Sequence, residues 1–379
     1  MKRIVLFLLL WTTAAEAVDT VVWQKNDDSP QRVSIGRTLV LAQDRGLLFQ
    51  ERSGEIFAIE PQRIRKATRN EKPFVPMTSQ EIGKAYLQEL PEGFEVLYTP
   101  HYTIFHDTTR DYARWCGILM EKLYTTFANF WKKRGYELPE PEFPLVIVLF
   151  STHRDYRAFA KKDVGEVGNA IIGYYSYQSN RVVCYDLSGQ EKYAEERSST
   201  TTFGAVTREI LSRPDAAKQV ATIIHEATHQ LVYNRGLAVR YGDVPLWYNE
   251  GIALYFESPN LKSEKGWQAI GKKNPLRYPA FQEYLARRPE NSLRQLLSSD
   301  DTFRDVDTAG DAYAESWALT WFLLRARQKA YIAYARHLAE KKALLNDTPE
   351  ERIQEFERFF GSLEKLDRDF VRYMKKDTF

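Results

Sequence analysis

From residue 18 to about residue 66, apolar and polar positions alternate in short runs such as VSIGRTLVLA and GLLFQERSGEIFAIE, broken at Asp44-Arg45-Gly46 and Ser53-Gly54. Period-two alternation between turn residues predicts a small antiparallel β module. The following stretch, KATRNEKPFVPM, loses the alternation and gains prolines, so residues 67–78 read as an extended linker at a domain boundary. A short helix is expected near 79–90 and strands over 94–99 and 102–106. From Thr109 to Arg134 the residues Tyr112, Trp115, Leu119, Leu123 and Phe127 recur at helical spacing and predict one long amphipathic helix. PLVIVLF, residues 144–150, is a continuous apolar run of buried-strand length, and residues 170–187 read as a hairpin turning at Gln178-Ser179-Asn180. Beyond about residue 204 the pattern turns helical, ending in long helices near 311–343 and 349–376. A mixed sheet followed by a helical half is α+β in class, with a main domain over 79–310 and a helical region over 311–379.

Composition changes this picture at the amino terminus. MKRIVLFLLLWTTAAEA combines a basic start, an apolar run from Ile4 to Trp11 and a small-x-small ending, which predicts a secretory signal peptide over residues 1–17. The apolar run is about half of the roughly 20 residues that a spanning helix needs, and no later stretch approaches that length. The expectation is an exported chain, periplasmic or secreted, with no transmembrane segment after cleavage. With 53 basic and 51 acidic residues, the charge balance gives no argument for nucleic acid or an anionic membrane as partner. Cys116 and Cys184 lie in the exported part, where a disulfide would survive, and their spacing leaves open whether they pair.

The candidate chemistry sits in SRPDAAKQVATIIHEATHQLVYNR, residues 212–235. Ser212 can cap this helix, Pro214 suits its first turn and Gly236 supplies its stop. Within it His225 and His229 are one turn apart on one face and can ligate one metal ion. Glu226 is rotated by about 100°, out of the ligand position and into reach of a water on that metal, the general-base place of the HExxH motif. Catalytic zinc usually keeps three protein ligands. Glu250, in LWYNEGIALYFE, is the obvious third, because a charge among apolar neighbours is costly unless it meets a cation. The alternative is an amphipathic helix with hydrogen-bonded histidines and a buried acid paired with arginine. His101, His106 and His153 lie in or beside strands and read as core or surface residues, and His337, on a charged helix, as solvated.

HEATHQ followed by LWYNEGIALYFE resembles the gluzincin pattern of the aminopeptidase and leukotriene-hydrolase type. It resembles still more the bacterial peptidase MA-like proteins, including the domain-of-unknown-function family 1570. The resemblance is sharp over about 215–258 and implies a zincin-like catalytic domain, a Zn2+ ion held by His225, His229 and Glu250, and Glu226 as base. It further implies Tyr313, in DAYAESWALTWFLLRA, as an oxyanion donor, and Glu257 as the acid that orients a ligand histidine. The Gly-Ala-Met-Glu-Asn strand with which the aminopeptidases grip a free amino terminus is absent. Its counterpart, GNAIIGYYSY from Gly168 to Tyr177, has no amine-binding carboxylate, which argues for an endopeptidase-like enzyme acting on a peptide or protein. Two other readings stay open: an exported binding or scaffolding protein with a non-catalytic zinc, and a zinc hydrolase of a non-peptide amide or ester.

Overall fold

The structure is a computed structural model that describes residues 17–165, 172–186, 216–258 and 270–376. The expected signal peptide lies almost wholly outside the described residues. The chain forms two compact units, one ending at Thr78 and one beginning at Ser79.

In the first unit, strands β1 (Ala17–Trp23), β2 (Arg32–Leu41), β3 (Leu47–Glu51), β4 (Ile56–Ile59) and β5 (Ile64–Pro73) form one antiparallel sheet in the order β4-β3-β2-β1-β5. Alternate residues meet on one face, where Val21, Trp23, Phe49, Phe57 and Ile59 make a small core. The expected linker is shorter than the sequence suggested, since residues up to Pro73 belong to β5. Almost every residue of β5 is exposed, so its strand state rests on backbone pairing with β1 and leaves no apolar alternation to read.

The second unit is built around a mixed sheet in the order β6-β7-β8-β10-β9. Its strands are β6 (Glu95–Tyr98), β7 (Tyr102–His106), β8 (Leu145–Phe150), β9 (Gly173–Tyr175) and β10 (Arg181–Tyr185). β7, β8 and β10 run parallel, while β6 and β9 are antiparallel edges. Every residue of β8 is buried, as expected of a strand covered on both faces. Helices α1 (Ser79–Leu87), α2 (Arg110–Lys132), α3 (His153–Val164) and α4 (Ala216–Asn234) accompany the sheet. Thr109 caps α2 by accepting from the Tyr112 N–H, and the apolar stripe of α2 is buried.

Beyond α4 the chain is helical: α5 (Leu246–Phe256), α6 (Arg277–Leu285), α7 (Ser292–Ser298), α8 (Asp301–Arg304), α9 (Ala309–Ala326), α10 (Gln328–Leu338), α11 (Pro349–Phe360) and α12 (Leu363–Lys376). The fold is therefore α+β, an amino-terminal β-sheet and a helical carboxy-terminal half. Each of the two long terminal helices expected from the sequence is broken in two. Arg327 leaves the helical region at φ −137°, and Gly361 turns the chain with a left-handed φ of 79°. Residues after 310 lie in the same compact unit as the sheet, so no separate carboxy-terminal domain forms. One apolar core runs through the whole unit, with Trp131, Trp247, Trp317 and Trp321 among its fully buried side chains. Each large apolar side chain buried this way contributes about 1.5–3 kcal/mol. Cys116 and Cys184 are free thiols, both buried, and burial pushes their acidity well down. Among the described residues no helix is long and apolar enough to cross a membrane.

Candidate metal centre

Helix α4 is apolar on most of its surface, with Val220, Ile223, Ile224, Ala227, Leu231 and Val232 buried. The helix start expected at Ser212 lies outside the described residues; Gly236, at φ 67°, ends the helix as its sequence implies. Gln230 ties α4 to the sheet by donating to the carbonyls of Val146 and Asn180 at 3.0 and 2.9 Å. The polar side of the helix carries His225 and His229, whose Nε2 atoms stand 3.1 Å apart.

Helix α5 delivers the third member. Its first N–H, from Leu246, donates to Asp300 Oδ1 at 3.0 Å. Beside Glu250, a Cβ on Gly251 would fall 2.1 Å from Thr320 Oγ1 and 2.9 Å from the Ser316 carbonyl oxygen. Glycine is thus what lets α5 lie this close to α9. Glu250 Oε2 reaches His225 Nε2 at 3.1 Å and His229 Nε2 at 3.6 Å.

Both imidazoles are held from behind. His225 Nδ1 lies 2.9 Å from Glu257 Oε2. The other Glu257 oxygen accepts from Asn274 Nδ2 at 2.9 Å and from Arg277 Nε at 3.3 Å. His229 Nδ1 lies 3.3 Å from Asn249 Oδ1, and Asn249 Nδ2 donates to the Tyr177 hydroxyl at 2.8 Å. An oxygen acceptor at Nδ1 places the ring proton there and leaves Nε2 as a lone pair. Two such lone pairs and a carboxylate oxygen then converge, which repel one another unless a cation lies among them. Bonds of about 2.0–2.1 Å around a tetrahedral ion give ligand-to-ligand edges of about 3.4 Å, in line with the spacings here. Among the described residues, His225, His229 and Glu250 form a group that can hold a metal ion.

The electrostatics agree. Burial alone would lower the His225 pKa, but hydrogen bonds to Glu250 and Glu257 and the charge of Glu226 raise it well above the usual range. Burial would raise Glu250, yet the charge of His229 and hydrogen bonds from both histidines hold it well below the usual carboxylate range. The pocket thus calls for positive charge, met by a proton on His225 or by a metal ion.

Glu226 stays out of the ligand set, and its Oε2 accepts the Tyr175 N–H at 2.9 Å. Its pKa is raised, chiefly by burial and further by Glu250, against the lowering effect of both histidines. Ser176 N–H donates to the Arg181 carbonyl on β10, so alternation turns the N–H and C=O of Tyr175 to the open side of edge strand β9, toward Glu226. Tyr313, on α9, has its acidity suppressed by the charge of Glu250 first, then by burial and by Glu226. It therefore stands within electrostatic reach of both acids. Of the counterpart stretch from Gly168 to Tyr177, residues 168–171 lie outside the described residues.

The other histidines have different partners. His101 pairs with Glu121 through Nδ1 at 2.7 Å, and His153 stacks on Tyr156 and packs at a tilt against Tyr185. His337, expected to be solvated, is half-buried against Glu355 and Arg358. Sequence reasoning missed Asn249, Tyr175, Tyr177, Asn274, Arg277 and Gln230. Asn249 had a signal in its place beside Glu250; the rest are brought in by tertiary contacts.

The fold and the site thus define an α+β chain with a largely buried His-His-Glu group suited to a metal ion. Residues 219–345 match the family described as "Protein of unknown function (DUF1570)", a stretch that holds every member of the group and its supports from His225 to Tyr313. No curated protein matches the sequence.

Proposed function

We propose that this chain is an exported zinc-dependent hydrolase of the gluzincin type, cleaving peptide bonds in an endopeptidase-like manner. The observation that carries the reading is the division of labour among the acids. Glu250 and both Nε2 atoms converge on one point, while Glu226, on the same helix as the histidines, is pinned beside that point by the Tyr175 N–H. A bare metal-storage or structural site needs no such spare carboxylate.

His225, His229 and Glu250 would hold the ion, which supplies a Lewis acid that polarises a carbonyl and makes water a better nucleophile near neutral pH. Glu226, its basicity raised by burial, accepts a proton from the attacking water and passes it to the leaving nitrogen. The Tyr313 hydroxyl, kept protonated by the neighbouring acids, donates to the oxygen on which charge develops. The open side of β9 suits an extended peptide that adds as a further strand and brings its scissile bond past Glu226. Export rests on the first 17 residues, whose removal amino-terminal sequencing of the protein from periplasm or medium would reveal.

The decisive test is turnover of a fluorogenic peptide library by the zinc-loaded protein, by the same protein after chelation, and by Glu226→Gln. The reading expects cleavage only in the first case, with zinc retained in the variant. Retained cleavage in Glu226→Gln would sink the mechanism. Zinc binding without any turnover would favour a binding or scaffolding role, and turnover of amides or esters alone would move the substrate class.

A further inference from the structure

Arg277 is the first residue of α6, and its Nε donates to Glu257 Oε1 at 3.3 Å. Glu257 in turn holds His225 at Nδ1, so the guanidinium stands one carboxylate behind a metal-binding histidine. Its carbon also lies 5.7 Å from the ring centroid of Tyr313, the phenol whose acidity the charges of Glu250 and Glu226 suppress. Arg277 therefore bridges the two supports of the site, one capping the end of α5 and one on α9.

A guanidinium that serves only to neutralise a buried carboxylate grips it with two parallel N–H bonds, the strongest geometry open to it. Arg288 shows a fuller use of its fork elsewhere in this chain, with Nε on Glu315 and both Nη atoms on Asp367. Arg277 gives Glu257 only Nε. Among the described residues neither of its Nη atoms has a hydrogen-bond partner, and the side chain is 33% exposed. The fork is anchored at one corner, backed by an aromatic ring and open at the other.

We propose that Arg277 is a carboxylate receptor beside the metal centre and sets substrate specificity, binding either the free carboxy terminus of a peptide or an acidic side chain near the scissile bond. The inference takes its substrate class from the hydrolase reading, but its test needs no turnover. Zinc-loaded full-length Glu226→Gln protein is titrated calorimetrically with acetyl-Ala-Ala, with its carboxamide and with acetyl-Ala-Asp-carboxamide. The same titrations follow in the Arg277→Met and Arg277→Lys double variants, with zinc content and melting temperature measured in each.

One of the two carboxylate probes is expected to bind about tenfold more tightly than acetyl-Ala-Ala-carboxamide. Preference for acetyl-Ala-Ala identifies the carboxy terminus as the source, and preference for the aspartyl probe identifies the side chain. Arg277→Met should remove the preference and Arg277→Lys should keep part of it. Equal binding of all three probes overturns the proposal, as does a preference that survives Arg277→Met. Loss of zinc affinity in Arg277→Met with the preference intact would instead assign the residue to positioning Glu257, which also overturns it. Absence of peptide turnover in the wild type would count against the hydrolase reading alone and leave the binding ratio standing.

Discussion

At the candidate metal centre the two histidines differ in what backs them. Behind His225 stands the buried carboxylate of Glu257, its pKa lowered by the histidine and by Arg277 and Asn274 despite burial. Behind His229 stands the neutral amide of Asn249. Replacing Glu257 with Gln should therefore weaken zinc binding by about 10–100-fold, measured by competition with a chromophoric chelator. An unchanged affinity would show that the carboxylate does not orient its ligand. The raised pKa of His225 also fixes a sign. A proton on His225 stabilises the metal-free fold fully below the usual histidine value of 6.5, and that contribution is lost as pH rises through the raised value. The melting-temperature gap between zinc-loaded and metal-free protein should widen as pH climbs from 6 upward, and a constant gap would contradict it. Much of this centre was legible in the sequence, because His225, Glu226 and His229 share one helix and helical geometry fixes their relation. Glu250 was legible from its misfit among apolar neighbours. Asn274, Arg277 and Tyr175 were not, since no local periodicity points to a partner that only tertiary folding supplies.

Among elements, the close approach of α5 and α9 positions the glutamate. Gly251→Ala should cost about 1–3 kcal/mol in urea unfolding, because Thr320 and the Ser316 carbonyl occupy the space a methyl needs. It should also weaken zinc binding, since Glu250 moves with α5; an unperturbed variant would show that the two helices part at no cost. Amphipathic and wholly buried elements were readable, as α2 and β8 illustrate, for burial imposes a period on the sequence. β5 was not, being a solvated strand whose pairing is carried by its backbone. The breaks at Arg327 and Gly361 escaped notice because the apolar pattern continues across them while the backbone does not.

Across the whole second unit, the carboxy-terminal helical region is joined to the elements that carry the site. Arg352, on α11, bonds Asp300 through Nη1 and Nη2 at 3.0 and 3.3 Å and also pairs with Asp243. Its removal leaves two largely buried acids without their cation, a loss of about 3–5 kcal/mol. Arg352→Ala should therefore lower both the unfolding free energy and zinc affinity, and intact zinc affinity at lowered stability would uncouple them. The hydrogen bond from Leu246 N–H to Asp300 also ties the site to a distant stretch of sequence. The acid that holds the start of the glutamate helix is itself secured by Arg352, 52 residues further along. The HEATH and NEG motifs therefore do not by themselves fix the start of the glutamate helix, and a fragment that stopped short of Arg352 would carry both motifs without that anchorage.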